Sequence, residues 1–225
     1  MKREKYLTIL LVICMLSYYM MVNLTMAAEK EDVSQNYVEP NNMFIRESLV
    51  SNLKKSLVKE KRLIEYTQQV TNFSYDECRF IIKECKEKEL DPFIVLGIIK
   101  RESDFNPYAK GAAGERGLGQ LMDNTAKLVA ENLGYIYEPD KLFDVRYNLK
   151  LTITQLSYLY NLYNQDVHKA LTAYNRGQQG LEIYMESNMS NKANPAESDY
   201  SRKVLIFAAE YRNSFDENLN TKFAL

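Results

Sequence analysis

The stretch "IIKRESDFNPYAKGAAGERGLGQLM", Ile98 to Met122, decides how this chain is read. It continues an apolar run, "DPFIVLG", that stops at Glu102, and four of the chain's eight glycines follow at Gly111, Gly114, Gly117 and Gly119. Asp91-Pro92 is a helix start: Asp caps, and Pro fits a first turn whose N–H has no helical partner in any case. Val95, Ile99 and Glu102 then fall at i, i+4 and i+7, one stripe of a helix that is apolar on most other sides. A glutamate in the last turn of a buried helix is pushed toward its neutral form by desolvation and by the negative end of the helix dipole. A carboxylic acid still protonated near neutral pH is what a general acid requires. The position also admits a plain role, with the side chain reaching water or pairing with Lys100 or Arg101. The glycines mark a backbone that turns sharply or passes close to something. Their GxxGxxGxG spacing, with no strand before and no Gly-Lys-Ser/Thr after, argues against a phosphate cradle.

Outward from this stretch the periodicity is helical throughout. "SYDECRFIIKECKEKEL" begins at Ser74 with Glu77 three positions on, a capping-box pattern. Helices are expected at 123–133, 147–163, 166–174, 178–186 and 199–214, with Asp144 capping the second of these. Residues 44–71 place Leu49, Leu53, Leu57 and Ile64 at helical spacing among many charges, a helix packed on the body or standing off as a stalk. No run alternates like a strand and no internal repeat occurs, so the expected fold class is all-α.

Composition narrows the function. A net charge of −1 and a pI near 6.0 argue against a nucleic-acid binder, which would carry a basic face. One histidine, His168, and no CxxC or HxxxH spacing argue against a metal site, and no cofactor motif is present. Cys78 and Cys85 sit seven apart on one expected helix, about 10 Å between Cα atoms at 1.5 Å per residue, too far for a disulfide. They are read as buried free thiols. Seventeen tyrosines and no tryptophan suit half-buried groove walls. At the amino end Lys2, Arg3 and Lys5 precede an uncharged apolar run to Ala27 and Ala28: a signal peptide, or an anchor if uncleaved, with the body outside the cytoplasm. Beyond that segment nothing suggests contact with a membrane, and the sequence leaves the oligomeric state open.

Four segments in order now carry a resemblance. "ESDFNPYAKGAAGERGLGQLM" (102–122), "LFDVRYNLKL" (142–151), "ALTAYNRGQQGL" (170–181) and "SDYSRKVL" (198–205) resemble the motifs of the soluble lytic transglycosylase family. The resemblance spans about residues 73–213. It implies a lysozyme-like helical domain with a groove for peptidoglycan glycan strands. Glu102 aligns with that family's single acid/base. The implied reaction has it protonate the oxygen between N-acetylmuramic acid and N-acetylglucosamine, then take the proton of the muramic C6 hydroxyl as a 1,6-anhydro ring closes. The substrate's N-acetyl group steadies the intermediate, so no second enzyme carboxylate is required, unlike the usual two-carboxylate scheme. Gln120 matches a groove-lining position, and Tyr174 and Asn175 match positions that touch the sugar or brace the acid. Tyr200 matches a tyrosine whose hydroxyl bonds the glutamate.

The chain departs from the family pattern at Gly111 (usually Ser), Glu115 (usually small), Gly119 (usually Met), Val145 (usually Pro) and Arg176 (usually Ala). The expected organisation is a signal or anchor at 1–28, a tether and helix at 29–72, the catalytic domain at 73–215 and a tail at 216–225. The expected activity is that of an exported lytic transglycosylase. A hydrolytic muramidase on the same fold and a non-cleaving wall-binding subunit of a surface or secretion apparatus are the alternatives.

Overall fold

The computed structural model describes residues 40–188 and 193–223, with side chains described within 44–188 and 193–219. The expected signal or anchor and most of the tether therefore lie outside the described residues. Seven helices fill them: α1 Pro40–Thr71, α2 Tyr75–Glu87, α3 Pro92–Ser103, α4 Asp123–Asn132, α5 Val145–Leu162, α6 Val167–Asn188 and α7 Asp199–Phe223. A short 3-10 turn, Pro139–Phe143, leads into α5. Among the described residues there is no strand, only isolated antiparallel bridges of Arg116 with Lys110 and Leu121 inside the glycine loop.

Local chemistry sets the helix starts. The Ser74 hydroxyl accepts the Glu77 N–H while the Glu77 carboxylate accepts the Ser74 N–H, closing the capping box of α2. Asp91 Oδ1 accepts the Phe93 N–H at 3.0 Å and opens α3. Asp144 accepts the Tyr147 N–H at 2.8 Å; a cap bonds the third residue of its helix, so α5 begins at Val145, two residues before the expected start. Gly177, at φ 74° and ψ 167°, breaks α6 between its two expected helical patterns.

The core is assembled around α3. Val95, Leu96, Ile98 and Ile99 are fully buried, at about 1.5–3 kcal/mol for each large side chain removed from water. Ile81 of α2, Leu149 and Ile153 of α5, Leu171 of α6 and Val204 of α7 close around this helix. Gly97 is where α7 comes nearest: a Cβ there would lie 2.5 Å from the Val204 carbonyl oxygen. The missing side chain therefore sets how closely α7 lies on α3. Cys78 and Cys85 are buried and free, and burial pushes both thiols up from their ordinary pKa.

Among the described residues, those from 57 onward form one compact unit, so the second half of α1 belongs with the domain expected to begin at residue 73. The reason is that Ile64, Tyr66 and Thr71 are buried, whereas Leu49 and Leu53, earlier on the same helix, are more than half exposed. The segment expected as a tail from residue 216 continues α7 as far as Phe223. Just before it, the Phe215 ring packs 5.5 Å from Tyr66 and 5.8 Å from Phe93, centroid to centroid.

Candidate active site

Glu102 sits in the last turn of α3, half-buried. Beyond Ser103 the chain leaves the helix through two left-handed residues, Asp104 (φ 51°) and Phe105 (φ 64°). Lys100 pairs with Asp104, and the Arg101 guanidinium lies 6.0 Å from the centre of the Tyr200 ring. Glu102 itself is met by Tyr200, whose hydroxyl donates to Glu102 Oε1 at 2.6 Å. Because α3 and α7 run antiparallel, the close approach of Gly97 to Val204 carries over, about one turn along, to Glu102 and Tyr200.

The environment raises the Glu102 pKa above the ordinary carboxylate range. Burial is the largest cause; the Tyr200 hydroxyl and then Arg101 oppose it, and the charge of Glu115 adds to it. Tyr200 is 7% exposed, and its phenol is raised well above the usual value by burial and then by the Glu102 charge, so it remains a donor. With Oε1 accepting the tyrosine, the acid proton of Glu102 belongs on Oε2.

The glycine loop forms the facing wall and is held by polar groups from three helices. Asn148 of α5, fully buried, accepts the Gly119 N–H at 2.9 Å and donates to the carbonyls of Leu142 (2.9 Å) and Arg116 (3.1 Å). The Tyr174 hydroxyl of α6 donates to the Gly119 carbonyl at 2.8 Å, and Ser103 of α3 donates to the Leu118 carbonyl at 2.9 Å. A Cβ at Gly119 would stand 2.0 Å from Thr152 Oγ1, which explains a glycine where the family pattern has a long side chain. Gln120 takes a left-handed φ of 46°, and its amide nitrogen donates back to Ala109 and Gly117, so that its donors serve the loop.

Glu102, Gln120, Tyr174 and Asn175 all line one cavity of about 440 Å³, together with Glu115 and Arg176. A second hollow of about 530 Å³ shares Asn124, Thr125, Gln155, Ala173 and Gly177 with the first and extends it as a groove along α4 and α5. Tyr200 is not in the cavity lining; it stands behind the acid. Asn148, Ser103 and Glu115 were not singled out from sequence as site residues. For Asn148 the available signal was an amide placed among the apolar positions of "LFDVRYNLKL". Among the described residues no three His, Cys, Asp or Glu side chains gather as a metal site.

A half-buried carboxylic acid, raised in pKa, bonded by a buried tyrosine and opening on a groove matches the resemblance stated above. The transglycosylase SLT domain family model matches residues 79–196, more than half of the chain. The chain belongs to that family. A Haemophilus influenzae protein assigned by name as a soluble lytic murein transglycosylase is 37% identical over 83 residues, covering 36% of this chain and 14% of its own length. Membrane-bound lytic murein transglycosylase C of Edwardsiella ictaluri is 32% identical over 99 residues, covering 39% of this chain and 27% of its own. Among solved structures, an inactive glutamate-to-glutamine mutant of the lytic transglycosylase Slt from Pseudomonas aeruginosa superposes with a TM-score of 0.53. It is 22% identical and covers 62% of this chain and 25% of its own. The 70 kDa soluble lytic transglycosylase of Escherichia coli gives the same TM-score and identity over 61% of this chain and 25% of its own. These two likenesses speak for the lysozyme-like all-α fold. The chain spans at most about a quarter of the length of the relatives and structures it matches here.

Proposed function

We propose that this SLT domain is a peptidoglycan lytic transglycosylase with Glu102 as its one acid/base. The observation that carries the reading is the raised-pKa carboxyl of Glu102, bonded by Tyr200 at 2.6 Å on the wall of the groove. In the proposed cycle Glu102 gives its proton to the glycosidic oxygen as the bond to the muramic C1 breaks, and the glucosamine leaves with a free hydroxyl. The N-acetyl group of the muramic residue steadies the positive charge at C1. The Glu102 carboxylate then removes the C6 hydroxyl proton as O6 closes on C1, which restores the acid. Tyr200 fits both halves: its hydroxyl supports the carboxylate in one and leaves Oε2 to carry the proton in the other.

Gln120, Tyr174 and Asn175 would line the sugar sites, Tyr174 by fixing the loop through Gly119. Action outside the cytoplasm is supported by the basic-then-apolar start of the sequence. Among the described residues no helix is long and apolar enough to cross a membrane. A hydrolytic reading has one foothold, Glu115, a second carboxylate on the same cavity. Mass analysis of isolated peptidoglycan digested with the purified protein separates the readings. Anhydro-muramoyl ends support the proposal; reducing muramic ends assign hydrolysis, and an uncut wall leaves a binding role.

A further inference from the structure

Gly111 and Glu115 are two of the departures from the family pattern, and in the structure they are one feature. An ideal Cβ on Gly111 would lie 2.1 Å from Glu115 Oε2 and 2.8 Å from its Cδ. The carboxyl group thus fills the volume in which a side chain at position 111 would stand. It is seated by the Ala113 N–H, which donates to Oε2 at 3.0 Å, while the Gly111 N–H donates to the Glu115 carbonyl at 2.9 Å and closes the turn. Gln120 Oε1 would be the next neighbour of that Cβ, at 2.9 Å. Glu115 is half-buried and lines the same cavity as Glu102.

We propose that Glu115 is a positioning residue for the acid: a second carboxylate, admitted to the groove by the space Gly111 leaves, whose negative charge acts alongside burial to keep the proton on Glu102. A like charge in the same site disfavours the ionisation of a neighbouring acid, and low-dielectric walls strengthen the effect. The groups around Glu102 divide by sign. Arg101 on its own helix and the Tyr200 hydroxyl from α7 favour the carboxylate; Glu115 from the loop opposes them, in the same direction as burial. From α6 come the neutral Tyr174 and Arg176, whose guanidinium lies 4.7 Å from the centre of the Tyr184 ring. Glu115 is therefore the negative group among those lining the cavity with Glu102.

This proposal rests on Glu102 being the acid, and its test separates the two ideas. In Glu115→Gln the amide oxygen can still accept the Ala113 N–H, so the loop keeps its shape and loses only the charge. Removing a negative neighbour lowers the Glu102 pKa, so its protonated form is lost at lower pH. Two readouts on the full chain follow it: the pH profile of wall cleavage, and the carbon-13 titration of the Glu102 carboxyl by NMR. The expected result is a downward shift of both the alkaline limb and the titration midpoint in Glu115→Gln. Gly111→Ala, which drives a Cβ into the carboxyl's seat, should shift both the same way, and the double variant should move no further than Glu115→Gln alone. An unmoved Glu102 titration in Glu115→Gln overturns the proposal. So does a uniform fall in rate with the limb unmoved, which would make Glu115 a substrate contact. If the wild type leaves the wall uncut, the functional reading falls while the titration still decides the coupling.

Discussion

The α7 wall behind Glu102 and the glycine loop in front of it hold one side chain by different means. Behind, the packing is apolar and regular: Val204 is fully buried on α7, pressed to α3 at Gly97, and brings a hydroxyl donor that favours the carboxylate. In front, the backbone is irregular and held by side-chain amides and hydroxyls from Asn148, Tyr174 and Ser103, and it brings a carboxylate that favours the acid. The difference teaches that the protonation state of Glu102 is a balance struck between two structures that can be loosened separately. One yields to overpacking, the other to loss of single hydrogen bonds.

The most severe way to break the comparison is to remove what stands between the walls. Glu102→Gln should lower wall cleavage by at least about 10²-fold, the usual scale of a general acid, measured by release of soluble fragments. The same variant should be more heat-resistant than wild type at neutral pH. The sign follows from linkage: a carboxyl raised in the folded state binds its proton there longer than in the unfolded chain. Ionisation thus costs stability, progressively from the unfolded pKa up to the folded one, and the cost persists above it. Glutamine escapes that cost, and a melting temperature unchanged or lower across this window would refute the argument.

Next in size is the loop wall. Asn148→Ala removes three hydrogen bonds to the loop and its neighbour and leaves the buried Gly119 N–H without its acceptor, a loss of about 3 kcal/mol by denaturant titration. Gly97→Ala attacks the other wall: its Cβ must displace the Val204 carbonyl, at about 1–3 kcal/mol for overpacking. Activity should fall with it, since Tyr200 moves with α7. The smallest effect is Tyr200→Phe, about 1 kcal/mol in stability. That variant removes a donor to the carboxylate, so the alkaline limb of the pH profile should rise, opposite in direction to Glu115→Gln. If both variants shift the limb the same way, the two walls do not balance as described.

The α7 wall was more legible from sequence than the loop, for a physical reason. Asp91-Pro92 and the buried run to Ile99 announce α3 through local chemistry and hydrophobic period, both of which are readable within one window. The motif resemblance supplied Tyr200, which no periodicity could have paired with a residue 98 positions earlier. The loop resists such reading because its supports are single polar atoms with distant partners. Asn148 reaches back 29 residues to Gly119. Gly111 and Glu115 stood out only as two separate departures, since the link between them is an absent side chain. On α1 the apolar period was real but its burial was not uniform: Ile64 is covered, while Leu57, two turns earlier, is 65% exposed.

The two cysteines of α2 give the molecule an internal stopwatch. Cys78 and Cys85 lie on the inner face of that helix at 0% and 1% exposure, with thiols held protonated by burial. An alkylating reagent can reach them only when α2 lifts from the core it packs on, so the rate at which these sulfurs acquire label reports how often the core behind the Glu102 helix opens. A variant that loosens either wall without disturbing the centre would leave that clock running at its native pace.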